Sequence, residues 1–401
     1  MRASHWLPTL ALTLAAGLTP AAAGIDHTPM SAPGLQYPPT PSWVGSDRFA
    51  LAVAPHGIVY LSWLEPVGSG FRALRFSVLE GGRWSQARTI ADSDDWVDLP
   101  GETPHLTPQD DGTLLAHWIQ NRGLPEDQFY ALRVVRSADG AQWYDVYRGR
   151  PDSRPVWPRF LHLFSHSGDA TGIFFLSTPN QERTLQVKTF GLVGHHAQDV
   201  PPLPIAACDG IAVASAPGDA IVAFRRREAA GELNVTHLVG DRWTAQVPVA
   251  RVSAATCDDR PPAIDRRADV VALAWIADAG VVRVSLSTDQ GRHFAGAVTL
   301  TRARAIAAPS VAVVDDGSAV VAWLEEGETG GGELRLSRVW PSGRQGPVLP
   351  VARQRGVAAA SLPRLVFQAD RLVVAWQSDR IRTALVPLDR LVPAGTNTTS
   401  F

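Results

Sequence analysis

The stretch Gly317-Ser-Ala-Val-Val-Ala-Trp323 shows the pattern that decides the fold. It is short, rich in β-branched residues and apolar at consecutive positions, as is typical of a strand covered on both faces. Six similar stretches occur in the chain: Gly57-Ile-Val-Tyr-Leu-Ser-Trp63, Gly112-Thr-Leu-Leu-Ala-His-Trp118, Thr171-Gly-Ile-Phe-Phe-Leu176, Asp219-Ala-Ile-Val-Ala-Phe224, Asp269-Val-Val-Ala-Leu-Ala-Trp275 and Asp370-Arg-Leu-Val-Val-Ala-Trp376. From Trp63 to Trp376 they recur about every 52 residues, a period that indicates a repeat architecture.

Each copy belongs to a unit of about four strand-like segments. An apolar segment such as Phe49–Val53 precedes most copies, a third such as Leu334–Val339 follows, and several units close with an aromatic segment such as Trp84–Ile90. Four short strands per unit are typical of a propeller blade. We therefore predict an all-β protein, a β-propeller of four-stranded antiparallel blades, with seven blades preferred and six as the alternative. The last unit stops after its third strand near Leu388, and Gly34–Val44 would supply the missing outer strand.

The N-terminus has the parts of a secretory signal peptide. A basic start at Met1-Arg2, an apolar run from Trp6 to Leu18 and small residues up to Ala23 are its usual order. We expect cleavage near Ala23 and an exported protein, periplasmic or extracellular, with no membrane span because the run is too short to cross a bilayer. The expected domains are the signal peptide at 1–23, an N-terminal extension at 24–47 that could close the ring, one propeller at 48–391 and a C-terminal tail at 392–401.

Composition excludes some classes of protein. The chain is 45% hydrophobic and 19% charged with a net charge of −2, which excludes a disordered protein and gives no support for a nucleic-acid partner. No phosphate loop or dinucleotide fingerprint occurs in a strand–helix context, so we expect no cofactor. His195-His196 lacks a third ligand at a metal-site spacing, so we expect no metal.

The chain contains two cysteines, Cys208 and Cys257, about one repeat apart. In an oxidising compartment such a pair usually forms a disulfide. Two buried free thiols, or part of a metal site, are the alternatives.

One turn sequence is complete in a recognisable form. Ser287-Thr-Asp289-Gln-Gly291-Arg-His-Phe294 fits the pattern S-x-D-x-G-x-x-aromatic, and Ser137-Ala-Asp139-Gly140-Ala-Gln-Trp143 is a shortened version. In such a turn the aspartate accepts amide hydrogens, the glycine takes a positive φ, and the aromatic ring packs between sheets. We therefore expect a structural role for Ser287, Asp289, Gly291, Phe294, Asp139 and Trp143.

This turn pattern is the Asp-box, and the chain resembles the sialidase-like (Asp-box or BNR-repeat) family of bacterial exported β-propellers, often described as exo-α-sialidases. The resemblance extends over most of the chain. It lies in Trp84-Ser-Gln-Ala-Arg-Thr-Ile90, Trp96-Val-Asp98-Leu-Pro100, Leu114-Leu-Ala-His117-Trp118 and Ser285-Leu-Ser-Thr-Asp289. The relatives carry a Cys-Asp-Cys-Cys cluster where this chain has Ala207-Cys208-Asp209-Gly210, and their second cysteine region matches Thr256-Cys257-Asp258. The resemblance thus fits a Cys208–Cys257 bridge and implies a secreted, carbohydrate-binding propeller.

The catalytic set of sialidases is missing. Those enzymes grip a carboxylate with three arginines and use a late tyrosine as nucleophile, whereas Tyr147 is the last tyrosine here. Their first-arginine motif is also absent, since that region is Trp43-Val-Gly-Ser-Asp-Arg48-Phe49. We therefore do not expect sialidase chemistry.

Loops that gather on one face around a propeller axis bring polar residues together. We expect a binding site formed by Trp96, Asp98, Asp209, Arg225 and Arg260, with Trp96 as a stacking platform. Asp98, Asp258 and Asp259 are the candidate catalytic carboxylates. The same loop face would carry Asp94, Asp95, Glu102, Arg154, Trp157, Arg226, Glu325, Glu326, Asp379 and Arg380, and an ordinary solvated loop surface is the alternative.

These observations favour a glycan- or protein-binding module. A divergent glycoside hydrolase of the exo-α-sialidase type is the alternative, and a non-catalytic scaffold of the cell envelope is a third. Expected partners are a glycan or an envelope protein.

Overall fold

A computed structural model describes residues 27–29, 34–97, 102–121, 130–148, 157–166, 169–177, 183–190, 200–205, 207–216, 218–226, 231–252, 260–301, 303–327, 331–354 and 362–393. In these residues the strands form seven separate antiparallel sheets, which confirms the seven-bladed propeller and excludes the six-bladed alternative. Short 3-10 helices lie at Asp278–Gly280 and Leu388–Leu391. Over the same part of the chain, no helix has the length and hydrophobicity needed to cross a bilayer.

The first four blades follow one another along the chain, each numbered from its inner strand outwards. Blade one contains β2 (Asp47–Val53), β3 (Val59–Gly68), β4 (Phe71–Glu80), β5 (Arg83–Trp84) and β6 (Arg88–Ser93). Blade two contains β7 (His105–Pro108), β8 (Leu114–Asn121), β9 (Tyr130–Ser137) and β10 (Tyr144–Arg148). Blade three contains β11 (Trp157–His166), β12 (Asp169–Ser177), β13 (Arg183–Phe190) and β14 (Leu203–Pro204). Blade four contains β15 (Ala207–Ala216), β16 (Asp219–Arg226), β17 (Glu232–Val239), β18 (Arg242–Trp243) and β19 (Val247–Arg251).

The last three blades complete the ring. Blade five contains β20 (Ala263–Arg267), β21 (Val270–Ile276), β22 (Val282–Ser287) and β23 (Val298–Thr299). Blade six contains β24 (Ser310–Val313), β25 (Ala319–Glu326), β26 (Gly332–Val339) and β27 (Leu349–Gln354), and β1 (His27–Pro29) pairs with its outer edge. Blade seven contains only β28 (Arg364–Gln368), β29 (Arg371–Gln377) and β30 (Ile381–Pro387).

The N-terminal segment Gly34–Val44 lies along the open edge of blade seven. Gln36 and Leu385 exchange both backbone hydrogen bonds, at 3.2 and 2.8 Å. The Thr40 hydroxyl donates to the Ile381 carbonyl at 2.6 Å. Because residues from near the start of the chain thus cover its last strand, the ring is closed by non-local pairing.

Tryptophans at the ends of the repeated cores pack between neighbouring blades. Trp63 is fully buried and packs in one cluster with Val373, Ala375 and Ile381 of blade seven. Trp118, Trp275, Trp323 and Trp376 likewise pack with residues of the preceding blade. These tryptophans share a further feature: each faces an arginine of the next strand, in the pairs Trp63–Arg75, Trp118–Arg133, Trp275–Arg283, Trp323–Arg335 and Trp376–Arg382.

Candidate functional site

The seven inner strands surround a central channel with a volume of about 610 Å³. We call the face at which these strands begin the upper face of the propeller. The polar side chains along the channel come from several blades: Glu102, Thr103, His105, His117, His162, Ser215, Asp265 and Arg364. A cleft built in this way is a usual position for a ligand.

Arg364 is the first residue of inner strand β28, so it lies at the upper end of the channel. Its Nε donates to the Phe49 carbonyl and its Nη2 to the Thr103 hydroxyl, both over 3.4 Å. Within the described part of the chain, no carboxylate forms an ion pair with it. Burial lowers the pKa of Arg364 to about 10, so the guanidinium still carries its charge at neutral pH.

The arginines near the other end of the channel are compensated. Arg266 pairs with Asp219 and Arg267 with Asp315, each over 2.6 Å. Arg364 is therefore held in a different electrostatic state: it is a half-buried cation with long hydrogen bonds to neutral oxygens. Such a cation favours an anion beside it, because a desolvated charge without a partner is unfavourable.

Three histidines line the same channel in their neutral form. The rings of His105 and His117 stack with centroids 5.9 Å apart, and His162 Nε2 lies 3.1 Å from the Ser215 hydroxyl. Burial lowers the pKa of His117 to about 3 and that of His162 to about 4. Burial also holds the pKa of His105 well below its usual value, helped by the unfavourable interaction that a charged His105 would have with His117, Arg364 and His162.

The upper mouth is shaped by a contact between three blades. Both carboxylate oxygens of Glu102 accept the backbone N–H of Phe160, at 3.1 and 3.3 Å. Phe160 has φ of 55°, a conformation that side-chain-bearing residues rarely adopt. Its ring lies against Gly210, where an added Cβ would stand only 2.5 Å from Phe160 Cζ. The glycine is therefore required by this close approach.

Two of the residues expected to bind a ligand are engaged in packing. The Trp96 indole N–H donates to the Arg72 and Ser93 carbonyls, both at 2.9 Å, and its ring packs 5.4 Å from that of Trp118. Arg225 is 1% exposed and donates to the Ile276 carbonyl of the next blade at 3.0 Å. Both side chains therefore connect elements of the scaffold.

The other expected site residues are distributed as follows. Arg260 lies at the upper face and donates to the Ala305 carbonyl at 3.2 Å. Asp209 and Cys208 belong to β15, but their side chains fall outside the described part of the structure. Asp98, Asp258, Asp259 and Cys257 lie outside the described residues altogether, as does Arg154.

The turn Ser287–Phe294 lies at the outer edge of blade five, away from the channel. The Ser287 hydroxyl donates to Asp289 at 2.7 Å and accepts from the Gly291 N–H at 2.8 Å, and Gly291 has φ of 83°. Hydrogen bonds from Ser287 and His293 hold the pKa of Asp289 far below its usual value. Phe294 packs against the core between blades four and five.

The turn Ser137–Trp143 has a similar arrangement in blade two. The Gly140 N–H donates to the Ser137 hydroxyl at 2.8 Å, and Asp139 accepts the Ala141 and Gln142 N–H groups at 2.8 and 3.0 Å. The Trp143 ring meets Phe76 of blade one edge-on, with centroids 6.1 Å apart.

Sequence reasoning missed Arg364, His105 and His162. Arg364 begins the apolar segment Arg364–Phe367, one of those that precede the repeated cores, and an inner strand of a propeller starts at the mouth of the channel; no such segment is predicted at His105. For Arg364, a polar residue at that position was the available signal. His162 offered none, because β11 carries a register shift between Arg159 and His162 that changes which residues face inwards.

Metal binding requires at least three suitable ligands close together. Among the described residues, no group of three histidine, cysteine, aspartate or glutamate side chains is placed to hold an ion.

No protein-family model matches the chain, and no curated protein matches it. Solved structures do share the fold. An ulvan lyase of polysaccharide lyase family PL25, bound to -[GlcA(1-4)Rha3S]-, is 12% identical with a TM-score of 0.56 over 90% of this chain and 100% of its own.

The solved neighbours also include a Hadza microbial sialidase, 12% identical with a TM-score of 0.47; it covers 86% of this chain, which in turn spans slightly less than two thirds (66%) of the sialidase. An α-L-arabinofuranosidase from Fusarium graminearum is 12% identical with a TM-score of 0.46 over 88% of this chain and 97% of its own. A sialidase and an arabinofuranosidase are thus among the structural neighbours. The shared fold is shown by the PL25 lyase, whose TM-score is 0.56, and its 12% identity shows the fold alone.

Proposed function

We propose that this protein binds an anionic saccharide in its central channel, with Arg364 holding a carboxylate or sulfate group. One observation carries the proposal: Arg364 is a charged, half-buried guanidinium that lines a ligand-sized channel, and its described partners are neutral oxygens at 3.4 Å. An arginine fork matches planar carboxylate and sulfate oxygens, and such pairs are roughly twice as strong as neutral hydrogen bonds.

The size and lining of the channel suit a sugar. Its volume of about 610 Å³ falls within the range of about 300–1,000 Å³ typical of small-molecule sites. His105, His162 and Ser215 line the same wall, and neutral imidazoles and hydroxyls can both donate to and accept from sugar hydroxyls. The channel therefore combines one group that binds a negative charge with several groups that form hydrogen bonds to hydroxyls.

The N-terminal sequence and a structural neighbour support this choice of ligand class. A signal peptide ending near Ala23 would place the protein in the periplasm or outside the cell, where acidic polysaccharides occur. The PL25 lyase was solved with a saccharide that contains a uronate and a sulfated sugar. At 12% identity, the likeness identifies this saccharide as a suitable ligand for a binding experiment.

The test is a calorimetric titration with matched sugars. Wild-type protein is titrated with the GlcA(1-4)Rha3S disaccharide, with a sialylated oligosaccharide and with a neutral disaccharide. We expect binding of an anionic sugar that weakens at least about tenfold in Arg364→Gln, since a bidentate charged contact is worth about 1.5–3 kcal/mol.

Arg267→Gln is the matched control. It removes an arginine at the opposite mouth that is already paired with Asp315, so it should leave the affinity unchanged. Equal binding of the neutral sugar, or an unchanged affinity in Arg364→Gln, would contradict the proposal.

A lyase reaction at the same site is a second candidate, favoured by the neutral His105, whose ring interacts with the charge of Arg364. If Arg364 neutralises a uronate carboxylate, the proton on sugar carbon 5 becomes more acidic, and a neutral imidazole nitrogen can accept it. The electron pair then forms the C4–C5 double bond, the C4–oxygen glycosidic bond breaks, and the leaving oxygen takes up a proton. Formation of an ultraviolet-absorbing unsaturated uronate, lost in His105→Gln, would support this reaction, because glutamine can still hydrogen-bond to the sugar but cannot accept the proton; no product from uronate polymers would exclude it.

The hydrolase alternative would use Asp98, Asp258 and Asp259, which lie outside the described residues. It predicts release of a reducing sugar without the unsaturated product, so the same assay separates the two reactions.

A further inference from the structure

An exposed apolar patch lies on the upper face, outside the channel. Trp43 is 70% exposed and Val44 61%, and Phe71 and Val67 of the β3–β4 hairpin are 44% and 43% exposed. We call these four residues the mouth patch. A tryptophan with most of its ring in solvent is unusual, because indole is among the largest apolar side chains.

The backbone beneath Trp43 is held firmly. Its N–H donates to the Glu65 carboxylate at 3.2 Å, its carbonyl accepts the Ser46 N–H at 3.1 Å, and the Gly45 N–H donates to the Asp379 carbonyl at 2.8 Å. Glu65 is itself buried and also accepts the Trp63 indole N–H at 3.0 Å. The exposed ring therefore stands on an ordered support, which reduces the entropy lost when a ligand binds.

One short segment of the chain links the mouth patch to the channel. Trp43 precedes Phe49 by six residues, a separation of at most about 22 Å, and the Phe49 carbonyl accepts the hydrogen bond from Arg364. Asp379 follows strand β29, which ends at the upper face, and its contact with Gly45 places Trp43 on that face as well. The patch and the channel cation thus open to the same side.

We propose that the mouth patch is a second saccharide subsite, which receives the sugar units that extend from the unit held at Arg364. The inference rests on the proposed function and deepens it: the ligand is a chain of sugars rather than a single anionic sugar. The flat apolar face of a pyranose packs on an indole ring, and two exposed aromatic side chains, Trp43 and Phe71, offer such faces within one patch.

The experiment compares ligand length in matched variants. GlcA(1-4)Rha3S disaccharide and its tetra- and hexasaccharide oligomers are titrated into wild type, Trp43→Ala, Trp43→Phe and Tyr144→Ala. Tyr144 is the control, because it is 64% exposed but belongs to the outer strand of blade two. Thermal melting confirms that each variant is folded.

In the wild type, affinity should rise with chain length. Trp43→Ala should remove that gain, at least about fivefold for the hexasaccharide, while the disaccharide binds as before; Trp43→Phe should keep part of the gain, and Tyr144→Ala all of it. If Trp43→Ala binds every length like the wild type while Arg364→Gln loses binding, the subsite is disproved and the proposed function stands. If Arg364→Gln also binds normally, the proposed function itself fails.

Discussion

Arg364 Nε donates to the carbonyl oxygen of Phe49 over 3.4 Å, across the seam between the last blade and the first. Residues more than three hundred positions apart in sequence therefore meet at the mouth of the channel. The candidate ligand-binding cation thus lies where the ring closes, so the site is complete only when β28 and β2 are docked.

The first prediction concerns the energetic consequence of holding Arg364 half-buried in the channel without a counter-charge. Arg364→Met keeps the volume and removes the charge, and replacing such a charge by an apolar group is neutral or stabilising. We expect the free energy of unfolding to stay equal or to rise by about 1 kcal/mol, while binding of the anionic sugar is lost. Urea denaturation monitored by tryptophan fluorescence measures the change.

Arg335→Met is the contrasting variant. Arg335 contacts Glu325 at 2.7 Å and Glu333 at 2.6 Å, so its removal leaves buried carboxylates without that partner and should destabilise by about 3 kcal/mol. A similar loss of stability in both variants would show that Arg364 is a structural residue rather than a ligand-binding one.

The second prediction concerns Glu65, which joins three groups. Its carboxylate accepts the Trp63 indole N–H and the Trp43 backbone N–H and lies 3.0 Å from Arg75 Nε. Glu65→Ala leaves these donors buried without their acceptor, so we expect a loss of about 3 kcal/mol in unfolding free energy. Chemical denaturation tests this.

Glu326→Ala is the control for Glu65. Glu326 is exposed and lies 3.5 Å from Arg304 in an exposed ion pair, a type of pair that contributes about 0–1 kcal/mol. The Glu65 interpretation would be wrong if both alanine variants had the same stability.

The fold could be predicted from the sequence because it is encoded locally. Repeated apolar cores such as Val320–Trp323 specify strands covered on both faces, and their period specifies blades. The opposed pairs, such as Trp323 and Arg335, repeat with them. The site was harder to predict from the sequence, because it depends on which side chains point into the channel.

Arg225 illustrates why the site could not be predicted in the same way. By position it belongs to a loop face, yet it is buried between blades four and five. Arg364 begins a strand whose next residues are apolar, and it is its position at the start of this inner strand that places it at the channel mouth. A strand sequence gives alternation but not the bulges, such as that in β11, which decide the direction of individual side chains.

The third prediction is that the protein loses stability as the pH falls below about 6.5. The pKa values of His105, His117 and His162 are lowered in the folded state, so below their ordinary pKa the unfolded chain binds protons that the folded chain does not. Stability is therefore complete above about pH 6.5 and falls towards pH 4, by at most about 1.4 kcal/mol per pH unit for each histidine. Burial raises the pKa of Asp265 to about 6, so the folded chain holds a proton there that the unfolded chain loses, and this group stabilises the fold as the pH falls. It contributes one proton, whereas the three histidines contribute three in the opposite direction.

Denaturation midpoints between pH 4 and 7 measure this slope. His162→Gln removes one of the lowered groups, and the slope should become shallower by about 1.4 kcal/mol per pH unit. His56→Gln changes an exposed histidine and should leave the slope unaltered. A slope in His162→Gln equal to that of the wild type would contradict the role of the channel histidines.

The fourth prediction concerns the closing segment Gly34–Val44. Among the described contacts, a chain starting at Gly34 loses only the three-residue pairing of β1 with β27, and it should melt close to a chain starting at Gly24. A chain starting at Gly45 also loses the Gln36–Leu385 pair, the Tyr37 hydroxyl bond to Val351 and the Thr40 bond to Ile381. The four lost hydrogen bonds contribute about 1 kcal/mol each, and their removal also exposes the edge of β30. We therefore expect the free energy of unfolding to fall by at least about 4 kcal/mol. Thermal unfolding of the three chains decides the matter, and equal melting temperatures for the chains starting at Gly34 and Gly45 would show that β30 does not need this cover.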